Sequence, residues 1–73
     1  MAVNYQVGDV VRPDFGGGIN WPLALAVEST STGIWFSFVL SSDRFFVVNA
    51  ELHLLRKDET GTLLYGNKKE QHS

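Results

Sequence analysis

The chain of 73 residues has no cysteine, and its apolar segments are short. The absence of cysteine excludes disulfides, thiolate zinc sites and cysteine nucleophiles, and it suits a reducing cytoplasm. The mid-chain apolar run FFVV at residues 45–48 has four residues, far fewer than the ~20 that span a bilayer. The N-terminal stretch MAVNYQVGD lacks the basic and apolar segments of a signal peptide. We therefore expect a cytoplasmic protein that does not contact a membrane.

Basic residues are scarce as well. Residues 1–60 carry seven acidic and four basic side chains, a net charge of −3. A protein that neutralises roughly six to ten phosphates needs far more lysine and arginine than this. The composition therefore disfavours general nucleic-acid binding and favours a protein as the partner.

What the sequence does contain is a series of short alternating segments separated by turn residues, which predicts β-strands. Asn49 is expected to cap a single helical or 3₁₀ turn before the last strand, and a two-turn helix over residues 50–58 is the alternative. The predicted strands cover residues 8–13, 23–30, 33–41, 44–48 and 53–56. The prediction is an all-β protein, either a small, strongly bent five-stranded antiparallel sheet or an SH3-like barrel, because closing the sheet removes exposed edges.

The alternation is clearest over residues 33–41, where Ile34, Phe36, Phe38 and Leu40 share one face and are predicted to be core residues. The domain is predicted to cover residues 1–60, followed by a C-terminal extension over 61–73. Within that extension, TLLY at residues 62–65 either adds an edge strand or folds onto the side of the barrel. From about residue 67 no apolar residue remains, which predicts disorder.

The loop GGGINWP at residues 16–22 raises the possibility of a phosphate cradle. A phosphate-binding loop needs GxxxxGK[ST] opening a helix inside a βαβ unit, and this loop has neither the lysine nor a helical pattern. His53 and His72 do not form a metal-binding pattern, and no serine has a histidine and carboxylate set. We therefore expect a protein that is not an enzyme and has no cofactor or bound metal.

Asp9 and Asp14 flank the first strand, and Asp9 is expected to accept backbone N–H bonds in a Gly-Asp turn rather than act in acid–base chemistry. Trp21 stands at the edge of the glycine loop. Trp35 lies on the face opposite the predicted core residues, beside Val39 and either Phe46 or Val48. Exposed aromatic side chains are enriched where proteins bind proteins.

The segment YQVGDVVR at residues 5–12, the glycine loop and the pattern FVV…EL-x-L at residues 46–54 resemble SH3-like small barrels of the KOW and Tudor type. The likeness covers residues 5–56. One branch of that fold, the plasmid-type (type II) dihydrofolate reductase, shares the GD-x-VR opening and a tryptophan after a glycine loop. Its pore motif Val-Gln-Ile-Tyr corresponds to residues 45–48, which here are Phe-Phe-Val-Val, so nicotinamide and pterin lose their polar contacts.

The small, acidic, cysteine-free chain with a charged tail also resembles phage-encoded regulators that bind host bacterial RNA polymerase, of the Xanthomonas phage type. This resemblance implies a non-enzymatic, monomeric protein-binding regulator of transcription that acts in the host cytoplasm and blocks competing contacts. The alternatives are an oligomeric protein like type II dihydrofolate reductase and a weak nucleic-acid-binding barrel. The residues expected to contact the partner are Asn4, Tyr5, Gln6, Val7, Asp9, Arg12, Asp14, Phe15, Trp21 and Trp35.

Overall fold

The computed structural model describes residues 5–66, so Asn4, His72 and the tail predicted from residue 67 lie outside the described residues. Residues 5–66 form a five-stranded antiparallel sheet in the order β4-β3-β2-β1-β5. The strands are β1 (Val10–Pro13), β2 (Ala24–Ser29), β3 (Gly33–Phe38), β4 (Arg44–Val48) and β5 (Leu55–Lys57). The predicted all-β class is confirmed, and the predicted bounds of β4 match those of the structure.

The core lies on one face of this sheet and is built mainly from alternating strand residues. Phe36 is fully buried, and its ring is stacked on Phe45 at 5.4 Å and meets Tyr5 edge-on at 6.5 Å. Ala24 and Ala26 leave room on β2 for these large rings, as close packing requires. The buried cluster comprises Tyr5, Val11, Ala24, Ala26, Ile34, Phe36, Val47, Leu52 and Leu55, with Phe38 and Phe45 packed against it.

Leu40 was predicted to belong to this core, and that prediction is wrong. Its side chain is 83% exposed, because β3 ends at Phe38 and the chain turns immediately afterwards. The amide of Phe38 donates to the carbonyl of Asp43 at 3.0 Å, which closes the turn before Leu40 could reach the buried face. The alternating pattern in the sequence therefore extends beyond the strand itself.

The segment between β4 and β5 is a 3₁₀ helix over Asn49–Leu54, so the two-turn helix over residues 50–58 is not formed. The predicted cap is also wrong, because Val48 occupies the cap position and no side chain caps the helix. Asn49 instead donates through Nδ2 to the Ser31 carbonyl at 2.9 Å, and its amide donates to Thr32 at 3.0 Å. The last strand begins at Leu55 rather than at residue 53.

After β5, the α-helical turn Glu59–Gly61 and the π-helical turn Thr62–Gly66 fold onto the side of β1 and β2. Asp58 starts this segment by accepting the Gly61 amide at 2.7 Å. The Thr62 hydroxyl then accepts the Val10 amide at 2.9 Å. Of the two predicted alternatives for residues 62–65, an edge strand or a segment folded onto the side of the sheet, the structure has the second. The domain boundary at residue 60 stays a prediction.

Candidate functional site

The strongest surface feature of the predicted site lies at the β1–β2 loop. Arg12 points outward from β1, and its Nη1 donates to the Trp21 carbonyl at 3.1 Å, so it ties the strand to the return of the loop. Across the sheet, Arg12 faces Arg56 of β5 directly. Asp14 is held by its amide, which donates to the Leu54 carbonyl at 2.8 Å, and its carboxylate lies 3.9 Å from Arg56.

Two aromatic rings complete this surface. Phe15 meets Trp21 edge-on with ring centroids 5.3 Å apart, and it also meets Phe45 edge-on at 6.4 Å. Since Phe45 is stacked on the buried Phe36, a continuous series of ring contacts joins the loop to the core. Phe15 is nevertheless 40% exposed, so part of its ring stays available to a partner.

The three glycines give the loop its shape. Gly16, Gly17 and Gly18 have φ values of 86°, 76° and 69°, a left-handed conformation that other residues adopt at a cost of about 1–2 kcal/mol each. A Cβ at Gly16 or Gly18 would meet no atom within 4 Å, so the backbone conformation, rather than space, requires glycine there. The loop is therefore turned in a defined direction that brings Ile19 and Trp21 back towards β1.

The loop surroundings form an open cleft of about 200 Å³. Sites that enclose a small molecule usually measure about 300–1,000 Å³, so this cleft is better suited to a side chain of a partner protein. The Trp21 indole nitrogen is buried beside it and has no hydrogen-bond acceptor among residues 5–66. The residues that line the cleft are Arg12, Pro13, Asp14, Ile19, Asn20, Trp21 and Arg56.

We call Arg12, Asp14, Phe15, Ile19, Trp21 and Arg56 the loop surface. Four of these residues were predicted to contact the partner, and the structure brings them together. Ile19 and Arg56 were missed. Ile19 is 62% exposed and follows the glycines directly, a position that could have been noticed in the sequence. Arg56 joins the surface only through the pairing of β1 with β5, which no local pattern reveals.

The N-terminal segment of the predicted site is placed differently. Tyr5 lies in the core, and its hydroxyl donates to the Leu55 carbonyl at 2.8 Å. Burial raises the pKa of the Tyr5 phenol above its ordinary value, and the negative charge of Asp9 adds to the effect. Gln6 and Val7 are exposed. The segment is thus partly a structural support for the sheet.

Asp9 connects this segment to β5. Its carboxylate accepts the Gln6 amide at 2.9 Å, the kind of backbone contact expected of the Gly-Asp turn. The same oxygen lies 3.7 Å from the Lys57 ammonium, and Lys57 also lies 5.5 Å from the centre of the Tyr5 ring. Asp9 is therefore already engaged inside the chain, whereas Asp14 is more exposed.

Trp35 belongs to a separate surface. It lies on the outer face of β3, is 37% exposed and contacts Phe46 of β4 with ring centroids 5.2 Å apart, one of its two expected neighbours. Trp21 is linked through Phe15 to Phe45 on the core side of the sheet, whereas Trp35 packs on Phe46 on the outer face, so the two tryptophans do not form one stacking platform.

Within residues 5–66, no group of three or more histidine, aspartate and glutamate side chains is placed to hold a metal ion. None of the helical turns in this part of the chain has the length and apolar character needed to cross a membrane. Comparisons with protein-family models, with curated proteins and with solved structures found no match.

Proposed function

We propose that this chain is an SH3-like, non-enzymatic regulator that binds a larger protein assembly through its loop surface. The best candidate for the assembly is bacterial RNA polymerase, which would make the chain a phage-type regulator of transcription. One observation carries the proposal: the exposed Phe15 contacts the half-buried Trp21 beside two arginines, and the Trp21 indole N–H has no acceptor among the described residues. Tryptophan and arginine in such a cluster are the residues that dominate binding energy at protein interfaces.

The charge of the domain supports the same partner class. Residues 5–66 carry a net charge of −3. Four exposed acidic side chains take part in no ion pair within this range; they are Glu28, Asp43, Glu51 and Glu59. A negative domain is attracted to a basic surface, such as one that nucleic acid normally occupies, and this attraction increases the association rate. Docking there excludes the competitor by steric overlap.

The reductase alternative draws less support from the geometry. Residues 45–48 would have to line a polar pore, but Val47 is buried and Phe45 packs against the core. Within residues 45–48 the side chains on the outer face, Phe46 and Val48, are apolar and supply no hydrogen bond to a nicotinamide or pterin. A nucleic-acid-binding role is weakened by the negative charge and by the separation of Trp21 from Trp35.

The proposal is tested by binding of the tagged chain to purified bacterial RNA polymerase. Ile19→Lys places a charge on the loop surface, and Leu64→Lys is its matched control, since the two side chains are 62% and 61% exposed. We expect Ile19→Lys to weaken capture at least about tenfold, equivalent to about 1.4 kcal/mol, with Leu64→Lys unchanged. If the parent chain does not bind the polymerase, the proposed partner is wrong; if both variants bind equally well, the loop surface is not the contact.

A charge reversal within the loop surface tests whether charge contributes to binding. Asp14→Lys should lower the association rate and its dependence on salt, because the domain becomes less negative. The fold should persist, since the Asp14–Arg56 pair is exposed and 3.9 Å long. An unchanged association rate at low salt would show that binding does not depend on charge.

A further inference from the structure

The outer side of β4 is a free sheet edge within the described residues, because the sheet ends at this strand. The amide of Phe38 donates to Asp43, and the amide of Asn49 donates to Thr32, both at 3.0 Å. These two bonds mark hydrogen-bonded pairs at either end of the β3–β4 ladder. In an antiparallel ladder, such pairs alternate with pairs that are not hydrogen-bonded.

The register then shows which groups of β4 face outward. Trp35 lies opposite Phe46, and this pair is an odd number of residues along the ladder from each of the two hydrogen-bonded pairs. Because the two kinds of pair alternate, Phe46 makes no backbone hydrogen bond to β3. The same holds for Arg44 and Val48, two residues to either side. The N–H and C=O groups of Arg44, Phe46 and Val48 are therefore directed away from β3, where they can bond a further strand.

The side chains along this edge are unusually apolar for an exposed strand. Val48 is 43% exposed and Trp35 is 37% exposed, and Phe46 lies between them on the same outer face. Proteins normally protect sheet edges with lysine, proline, bulges or very short strands. β4 has five residues, no proline and one charge, Arg44, at its end.

We propose that the occupant of this edge is a second copy of the chain, whose β4 pairs antiparallel with the first about a two-fold axis at Phe46. In this register Phe46 faces its own counterpart, and Arg44 of each copy faces Val48 of the other. Six backbone hydrogen bonds form, two at each of the three facing pairs. A contact about a two-fold axis must be self-complementary. In this register β4 meets that requirement, because Phe46 pairs with itself and the Arg44–Val48 pair occurs once on each side of the axis.

The charges permit this arrangement. No charged side chain faces a like charge across the proposed pair, since Arg44 lies opposite a valine. The two arginines are four residues apart along the strand direction, about 13 Å, which exceeds the screening length of about 8 Å at physiological salt. On the outer face, the Trp35–Phe46 contact of one copy continues into the Phe46–Trp35 contact of the other.

The neighbouring segment leaves the edge accessible. After Val48 the chain is held towards the β2–β3 turn, because Asn49 donates to the carbonyls of Ser31 and Thr32.

A contact between two five-residue strands belongs to the class of smallest interfaces, those that bury less than about 1,200 Å² of total area. We therefore expect a weak dimer with a Kd on the order of 0.1 mM and a monomer well below that concentration.

The decisive variant is Val48→Pro. Val48 has φ −71° and ψ 155°, which already suits proline, and its N–H bonds no residue of β3. The substitution should leave the monomer folded while removing two of the six bonds between copies. Sedimentation equilibrium from tenfold below to tenfold above the expected Kd should show association weakened at least about tenfold.

A charge swap tests the register. Val48→Lys places lysine opposite the arginine of the other copy at two symmetric positions, which should abolish the dimer. Adding Arg44→Glu converts both positions into opposite-charge pairs and should restore it. Leu63→Lys, at a position 69% exposed on the π-helical turn, is the matched control and should dimerise like the parent chain.

Amide hydrogen exchange gives a second readout. The amides of Arg44, Phe46 and Val48 should become protected as concentration rises, whereas those of Phe45 and Val47 should be protected throughout. A parent chain that stays monomeric up to tenfold above the expected Kd overturns the proposal. A dimer that survives both Val48→Pro and Val48→Lys overturns it as well, because the copies then meet elsewhere.

Discussion

The two edges of the sheet are held by different forces. β5 is a strand of three residues that contains Arg56 and Lys57, and polar contacts tie it to the N-terminal segment. Tyr5 donates to Leu55, and Lys57 lies near both Asp9 and the Tyr5 ring. β4 is longer and apolar, and it is held by close packing against β3.

The difference shows two solutions to the problem of an exposed strand. The short length and the charges of β5 disfavour further pairing. Its ion pair makes this edge sensitive to salt, and the raised pKa of Tyr5 makes it sensitive to high pH. Packing at β4 is insensitive to both, but it leaves outward-facing backbone groups on an apolar strand. The same small sheet therefore has one closed edge and one edge suited to association.

Phe36→Ala removes a core side chain that is connected to both edges of the sheet. Its ring contacts Tyr5, which is bonded to β5, and Phe45, which belongs to β4. We expect a loss of about 3–5 kcal/mol in the free energy of unfolding. A domain of this size has only roughly 4–11 kcal/mol in total, so the variant should be largely unfolded at 37 °C. Urea denaturation followed by tryptophan fluorescence measures this, and a loss below 1 kcal/mol would contradict the packing described.

Gly33→Ala affects the β4 side alone. A Cβ at Gly33 would overlap the Val47 carbonyl oxygen and lie 2.9 Å from the Val48 Cα, so the backbones of β3 and β4 would have to move apart. We expect a destabilisation of about 3 kcal/mol. Ser31→Ala, in the same turn but exposed, is the control and should change stability by less than about 0.5 kcal/mol. Equal stability of the two variants would mean that β3 and β4 are not packed this closely.

Tyr5→Phe affects the β5 side and introduces pH dependence. Losing the bond to the buried Leu55 carbonyl should cost about 1–2 kcal/mol at neutral pH. The folded-state pKa of Tyr5 is raised above its ordinary value of 10.0, so the unfolded chain ionises first and this stabilisation falls as pH rises through the folded-state pKa. The difference between parent and variant should therefore shrink above pH 10 in urea denaturation series; a constant difference would contradict the assignment.

Lys57→Ala should have the smallest effect. The Asp9 pair and the ring contact together should contribute about 0.5 kcal/mol, because Lys57 is largely exposed. The loss should diminish in about 1 M salt, where the Debye length is about 3 Å. Arg44→Ala on β4 is the comparison, since Arg44 makes no ion pair within residues 5–66, and its effect should not depend on salt.

Much of the fold could be predicted from the sequence because strand alternation is a local signal. It located β4 and placed Trp35 on the outer face, where Phe46 is its partner. It failed at Leu40 because the same alternation continues into a turn whose closing bond joins Phe38 to Asp43. The capping preference of asparagine, also a local signal, gave a wrong prediction at Asn49, whose side-chain amide reaches the β2–β3 turn rather than the helix end.

The candidate site was only half predictable. The loop aromatics could be identified because they border a conspicuous glycine run. The position of Arg56 opposite Arg12 depends on the pairing of strands more than 40 residues apart in sequence, and the burial of Tyr5 depends on the core formed around Phe36. Contacts between residues so far apart in sequence cannot be predicted from the pattern of neighbouring residues.

The three left-handed glycines also have an evolutionary consequence. Each side chain introduced at residues 16–18 would strain the backbone, so this part of the loop has little freedom to vary. Ile19 and Asn20, which follow directly, are exposed and free of that constraint. A library randomised at these two positions, with the glycines kept, should therefore yield altered partner preference while the fold is retained.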